Sequence, residues 1–321
     1  MTQPARKHTV HSAHHVDEWD DVITLCDEAL GVAGLHSVTR ISSGVGDFTV
    51  DALDEPYLAG LAEGGPDAVR EACRSVARLV TSVNVAQDER LDEVRTGRLI
   101  RMVLHAEGGA IFCYSVVPGQ HLVGFTFDRT PPGAELTEVA TVNAADRAMG
   151  DLVDALRARI GLQSQNVGAF RSESVPGSGS EQTEPYVDGP RDGPGYEAIR
   201  AAVDPDDLHL VTLQASYRAE LAVDHLGHPR TARFFSLISV EARRKFYRDF
   251  ARELPRTVGQ LGRLARSSVG GALLRGILDV EQGAIYCYRV GAGDYVVGVT
   301  LDQTQVHNAD VKMARLALGL S

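Results

Sequence analysis

The sequence predicts a mixed α/β fold built twice, and three observations lead there. First, Leu99–Thr130 (LIRMVLHAEGGAIFCYSVVPGQHLVGFTFDRT) returns as Leu273–Thr304 (LLRGILDVEQGAIYCYRVGAGDYVVGVTLDQT). The copies align without a gap and agree at about half of their positions, so the repeat is one structural unit. Second, each half shows the same order of periodic patterns: helix, two strands, helix, three strands, helix. Third, residues 162–195 are rich in Gly, Ser, Pro and acids. Such a stretch buries too little apolar surface to offset the entropy of ordering, and it reads as a flexible linker. A length of 321 residues suits about two domains. The predicted boundaries are a disordered tail at 1–15, a first domain at 16–161, the linker at 162–195 and a second domain at 196–321.

The elements follow in order. From Val16, Trp19, Val22/Ile23, Cys26 and Ala29/Leu30 recur on one helical face, which Gly31 and Gly34 close. His36–Ser43 and Phe48–Ala52 read as a hairpin around a turn at 44–47. Pro66-Asp67 starts a long helix with Val69, Cys73, Val76, Val80 and Val83 on its core face. Strands at 98–105, 110–117 and 121–128 come next, with tight turns at Gly108-Gly109 and Pro118-Gly119. The middle strand is apolar at nearly every position, as a strand covered on both faces should be. A helix over 141–160 closes the first copy at Gly161.

In the second copy a short helix at 196–203 stops at Asp204-Pro205. Strands follow at 208–215 and 219–226. The long helix starts near Ser239 with Ala242, Phe246, Phe250 and Leu254 inward, and Pro255 is expected to break or kink it. Strands at 273–280, 284–290 and 295–302 precede a final helix at 308–318.

Composition excludes several classes. The 44% hydrophobic and 23% charged shares are those of a globular domain. No apolar run reaches the roughly 20 residues that cross a bilayer. The first fifteen residues lack the apolar centre of a secretory signal, which leads to a cytoplasmic expectation. Cys26, Cys73, Cys113 and Cys287 lie far apart in apolar segments and read as reduced, buried thiols. The net charge of −11 is uneven: residues 16–160 hold 24 acidic against 12 basic side chains, and residues 196–321 hold 14 against 16. An acidic first half argues against general nucleic-acid binding.

No constellation of catalytic groups stands out. His8, His11, His14 and His15 sit in the polar tail. The SSGVG of 42–46 lacks the Lys-Ser/Thr ending of a phosphate loop and joins strand to strand. Glu107/Glu281 and Asp128/Asp302 recur at strand ends, where turn capping accounts for them. His105 and His121 give way to Asp279 and Tyr295 in the second copy, so no metal site is shared. What the copies do not share is charge on the second long helix. Arg243, Arg244, Lys245, Arg248, Arg252 and Arg256 form the candidate partner surface, weighed against a merely solvated helix face.

The segments VLHAEGGAIFCYSVVPGQHLVGFTFD (103–128) and ILDVEQGAIYCYRVGAGDYVVGVTLD (277–302), with the opening LGVAGLHSVTRISSGVG (30–46), resemble bacterial members of the roadblock family named for dynein light chains. The resemblance covers most of 16–160 and, more loosely, 196–321. It implies an α/β/α sandwich around a five-stranded antiparallel sheet, related to the profilin-like folds. It also implies pairing through the long helix and a sheet edge, here within one chain as a pseudo-dimer or between chains as a homodimer. Many members are scaffolds or regulators of Ras-like small GTPases without cofactor, metal or catalytic site. The expectation is therefore a non-enzymatic protein-binding scaffold acting on a small GTPase in bacterial signalling. The alternative is a small-molecule sensor or binding domain, which would need a cavity of a few hundred Å3 lined by a few polar groups.

Overall fold

The computed structural model describes residues 7–11, 16–31, 34–129, 138–170, 183–214 and 220–321. In the N-terminal repeat the elements are β1 (His8–His11), α1 (Asp20–Ala29), β2 (Ser37–Ser42), β3 (Val45–Asp51), α2 (Gly65–Leu91), β4 (Leu99–Ala106), β5 (Gly109–Val117), β6 (Gln120–Phe127) and α3 (Glu138–Arg159). The C-terminal repeat runs β7 (Tyr186–Asp188), α4 (Gly193–Ala202), β8 (Leu210–Gln214), β9 (Leu221–Asp224), α5 (Val240–Ser268), β10 (Leu273–Val280), β11 (Gly283–Arg289), β12 (Tyr295–Thr300) and α6 (Val306–Leu320). The fold is mixed α/β, and its strand order is β1-β3-β2-β6-β5-β4 in the first repeat and β10-β11-β12-β8-β9-β7 in the second. The pairs within each repeat are antiparallel.

Two edge strands come from segments expected to be tail and linker. His8–His11 pairs with Phe48–Asp51, and Tyr186–Asp188 pairs with Ala222–Asp224. Both are short and polar, so side-chain periodicity could not announce them, and backbone hydrogen bonds to an open edge hold them. The first hairpin turns at Ser43-Gly44, with φ of +49° and +81°, the left-handed pair that a two-residue turn requires. His14, His15 and residues 171–182 of the expected linker lie outside the described residues.

Helices cover both faces of the first sheet. Tyr114 on β5 donates from its hydroxyl to the Asp146 backbone and carboxylate on α3, at 2.8 and 2.6 Å. Its neighbour Cys113 points the other way, beside Thr81 of α2. This alternation is why β5 is buried along most of its length. The second repeat reproduces the first contact, with Tyr288 donating to Asp310 on α6 at 2.6 Å.

The chain divides into two compact units whose limits differ from the repeat boundaries. Unit 1 holds Met1–Gln87, Ile100–Gln165 and Gln260–Leu274, and unit 2 holds Asp88–Leu99, Asn166–Gly259 and Arg275–Ser321. Backbone hydrogen bonds explain each borrowed segment. In unit 1 the amides of Glu107 and Gly108 donate to the carbonyls of Ala272 and Gly270, at 3.0 and 3.2 Å. In unit 2 the amides of Glu281 and Gln282 donate to Arg98 and Thr96, at 3.1 and 3.0 Å. The recurring glutamates complete the motif: Glu107 accepts the Ala272 amide at 3.0 Å and Glu281 accepts that of Arg98 at 3.1 Å. They cap the start of a strand rather than their own turn.

Pro255 neither breaks nor ends its helix, because α5 runs unbroken from Val240 to Ser268. One missing N–H is outweighed by the buried stripe Phe250, Ala251, Leu254, Val258, Leu261 and Ala265. The start of that stripe differs from expectation. Arg243 and Tyr247 are buried, while Ala242 is exposed and Phe246 half-buried. The buried positions 243, 247, 250 and 254 step by four, three and four and so keep to one face, whereas steps of four from Ala242 drift by about 40° each.

Candidate functional site

The basic run on α5 is the feature that the two copies do not share, and its geometry separates structural from available charge. Arg244 forms a two-pronged ion pair with the buried Asp224 on β9, Nε to Oδ2 at 2.6 Å and Nη2 to Oδ1 at 2.9 Å, and stacks on Tyr186. Asp224 also accepts the Leu226 amide at 2.9 Å. The first repeat holds the same arrangement: Arg70 on α2 pairs with the buried Asp51 on β3 at 2.9–3.0 Å, and Asp51 accepts the Leu53 amide at 3.1 Å. Arg244 therefore belongs to the scaffold. Two-pronged guanidinium–carboxylate pairs of this kind lock a long helix to its strand.

The next turns of α5 are neutralised within unit 2. Arg248 pairs with Asp188 on the edge strand and lies 3.8 Å from Glu220. Arg252 pairs with Glu220 at 2.7 Å and Asp249 at 3.0 Å, and Lys245 pairs with Asp249 at 3.3 Å while 82% exposed. Arg243 is 2% exposed and cannot lie on a surface. Its side chain turns inward because position 243 lies on the same face as the buried Tyr247, Phe250 and Leu254. Of the six candidates, Arg256 is exposed and has no ion-pair partner among the described residues. Farther along, Arg263 and Arg266 share that condition. A spacing of three residues places 263 and 266 on one helical face within unit 1. Available positive charge lies on the C-terminal half of α5, beyond most of the candidate stretch.

Two buried histidines, which the repeat alignment did not reach, occupy equivalent places. His36 Nδ1 accepts the Phe127 amide at 3.0 Å, and His209 Nδ1 accepts the Leu301 amide at 3.1 Å. Burial lowers the pKa of each to about 4. Both are neutral and protonated on Nε2, a state fixed by the backbone donor. The signal was present in the sequence as LHxVT at 35–39 and 208–212, and VDxLxxP at 50–56 and 223–229.

The recurring residues of the longer repeat are also accounted for by packing. Arg275 Nη1 lies 3.0 Å from Asp310 and 3.2 Å from the Tyr288 hydroxyl, and Arg101 approaches Asp146 at 3.6 Å. A Cβ on Gly124 would come 2.6 Å from the Met149 sulfur, and one on Gly298 would meet that of Met313. Asp302 accepts the Thr304 amide at 2.9 Å, which caps the turn entering α6. All four cysteines are buried. Burial pushes Cys26, Cys113 and Cys287 up to about 12 and Cys73 upward as well, so no thiolate nucleophile is on offer at neutral pH. Among the described residues no three His, Cys, Asp or Glu side chains are placed to hold a metal ion. Among them, too, no helix is long and apolar enough to cross a membrane.

No protein-family model matches the chain, and no curated protein matches it.

Proposed function

We propose that the chain is a non-enzymatic protein-binding scaffold or regulator whose partner is a small Ras-like GTPase, and that each repeat is a roadblock-type α/β/α sandwich. The observation that carries the binding role is the pair Arg263 and Arg266 on the part of α5 that belongs to unit 1. Both are exposed and without ion pairs among the described residues, on a helix where the preceding Arg244, Arg248 and Arg252 are paired internally. Unpaired arginines on one rigid face suit a flat, acidic protein surface, since guanidinium groups bind carboxylates in planar pairs. The strand order β3-β2-β6-β5-β4, repeated as β9-β8-β12-β11-β10, supports the five-stranded sandwich, with β1 and β7 as additions at the edge. The GTPase as partner rests on the family resemblance.

The test is capture of the host's small GTPases on the purified full chain, in GDP- and GTP-analogue-loaded forms, followed by a hydrolysis assay. The reading expects retention of at least one GTPase, weakened at least tenfold by Arg263→Glu/Arg266→Glu. Failure of every GTPase to bind would remove the partner assignment.

A further inference from the structure

Arg243 is a buried cation for which the fold gives no need. Its Nη1 donates to the Phe234 carbonyl at 2.8 Å and its Nη2 to the Val94 carbonyl at 2.7 Å. Its Nε has no hydrogen-bond partner, and no carboxylate pairs with it among the described residues. The Phe235 ring, 5.1 Å from the guanidinium carbon, gives partial compensation. Holding a charge under such cover costs several kcal/mol unless it is balanced, and burial lowers its pKa. The first repeat shows that the position does not require it. Because Arg244 corresponds to Arg70, Arg243 corresponds to Val69, an ordinary buried valine.

Arg243 lines an open cavity of about 420 Å3 within unit 2, together with Arg95, Arg233, Phe234, Ser236, Gln282 and Asp302. That volume lies within the range of small-ligand sites. The lining residues include three arginines against one aspartate, Asp302, with which Arg233 pairs. Arg95 adopts φ of +53° as the left-handed residue that ends the helical turn at 92–94, with its amide donating to the Asp92 carbonyl. It is 61% exposed, with a loose 3.7 Å approach to Asp92. Arg233 is 65% exposed and rests on Asp302 at 2.5 Å and over the Phe234 ring. Neither Arg95 nor Arg243 recurs in the other copy, where they correspond to Val269 and Val69.

We propose that this cavity binds a small phosphate-bearing molecule. Arg95 and Arg233 reach the phosphate oxygens from the rim in two-pronged contacts. Arg243 supplies a fixed positive field from the wall, and Ser236 and Gln282 add neutral donors. Phe234 offers an apolar face to the non-phosphate part. This site is independent of the α5 arginine pair, so the two proposals fail separately.

The experiment is isothermal titration of the full chain with pyrophosphate, adenosine triphosphate and guanosine triphosphate at constant ionic strength. Saturable binding of one equivalent is expected, with Kd raised at least tenfold by Arg95→Ala and by Arg233→Ala. Both side chains are exposed, so circular dichroism should be unchanged. Arg243→Met is a further variant, but the conclusion does not depend on its folding. Tighter binding of a nucleotide than of pyrophosphate would assign the ligand as a nucleotide, and equal binding would assign the phosphate group alone. No saturable binding of any probe, or unchanged Kd in both rim variants, would overturn the proposal.

Discussion

Acidification should unfold this protein early, and His36 and His209 set the window. Each has a folded pKa of about 4 against 6.5 for a solvated imidazole. The folded state therefore resists a proton that the unfolded chain accepts. Stability is unaffected above pH 6.5 and falls as pH drops from 6.5 towards 4. At pH 5 the expected loss is about 2 kcal/mol per histidine, and its limit below pH 4 is about 3 kcal/mol each. Two such residues reach roughly 4 kcal/mol at pH 5, a large share of the 5–15 kcal/mol by which a typical fold is stable. The neighbours fit this sign. His36 lies between the rings of Tyr57 and Phe127, and His209 faces Phe234, with Asp302, Asp204 and Arg233 acting only as smaller influences. Urea unfolding at pH 7.5 and 5.0 measures the loss. The double variant His36→Asn/His209→Asn keeps an acceptor for the backbone amide but cannot titrate, so its pH dependence should shrink by about 4 kcal/mol. An unchanged slope in that variant, or imidazole pKa values near 6.5 by NMR, would refute the assignment.

Other consequences can be checked by the same unfolding assay. Gly124→Ala and Gly298→Ala each press a methyl against a methionine sulfur and should cost about 1–3 kcal/mol. Arg70→Ala strands the fully buried Asp51 carboxylate and should cost about 3–5 kcal/mol, whereas Lys245→Ala on the solvent side should cost under about 0.5 kcal/mol. The four cysteines should resist a thiol reagent at pH 8 in the native state and react together once urea unfolds the chain. Fast labelling of any one of them in the native protein would contradict its burial.

Much of the fold was legible because the longer repeat carries its own reasons. Tyr114/Tyr288, Gly124/Gly298 and Glu107/Glu281 recur where the last helix, its methionine and the start of a strand require them. The histidine and Asp–Arg arrangements escaped notice because the Asp-to-Arg spacing differs by one residue, 19 against 20, and shifts 35–56 and 208–229 out of register with the longer repeat. Asp51 and Arg70 are 19 residues apart, a spacing without meaning until sheet and helix meet. The pairing of charge on α5 was hidden for a related reason. Charge could be counted along α5, but the acids that neutralise it, Asp188, Glu220 and Asp224, lie on other elements. The inward turn of Arg243 was hidden as well, since the apolar pattern favoured Ala242 and Phe246.

The claim that α5 presents a partner-binding face is tested most directly by hydrogen–deuterium exchange of the full chain with and without a captured GTPase. The account predicts slower exchange confined to peptides covering 256–268, and none in the Arg263→Glu/Arg266→Glu variant. A bound GTPase that leaves those peptides unprotected would contradict it.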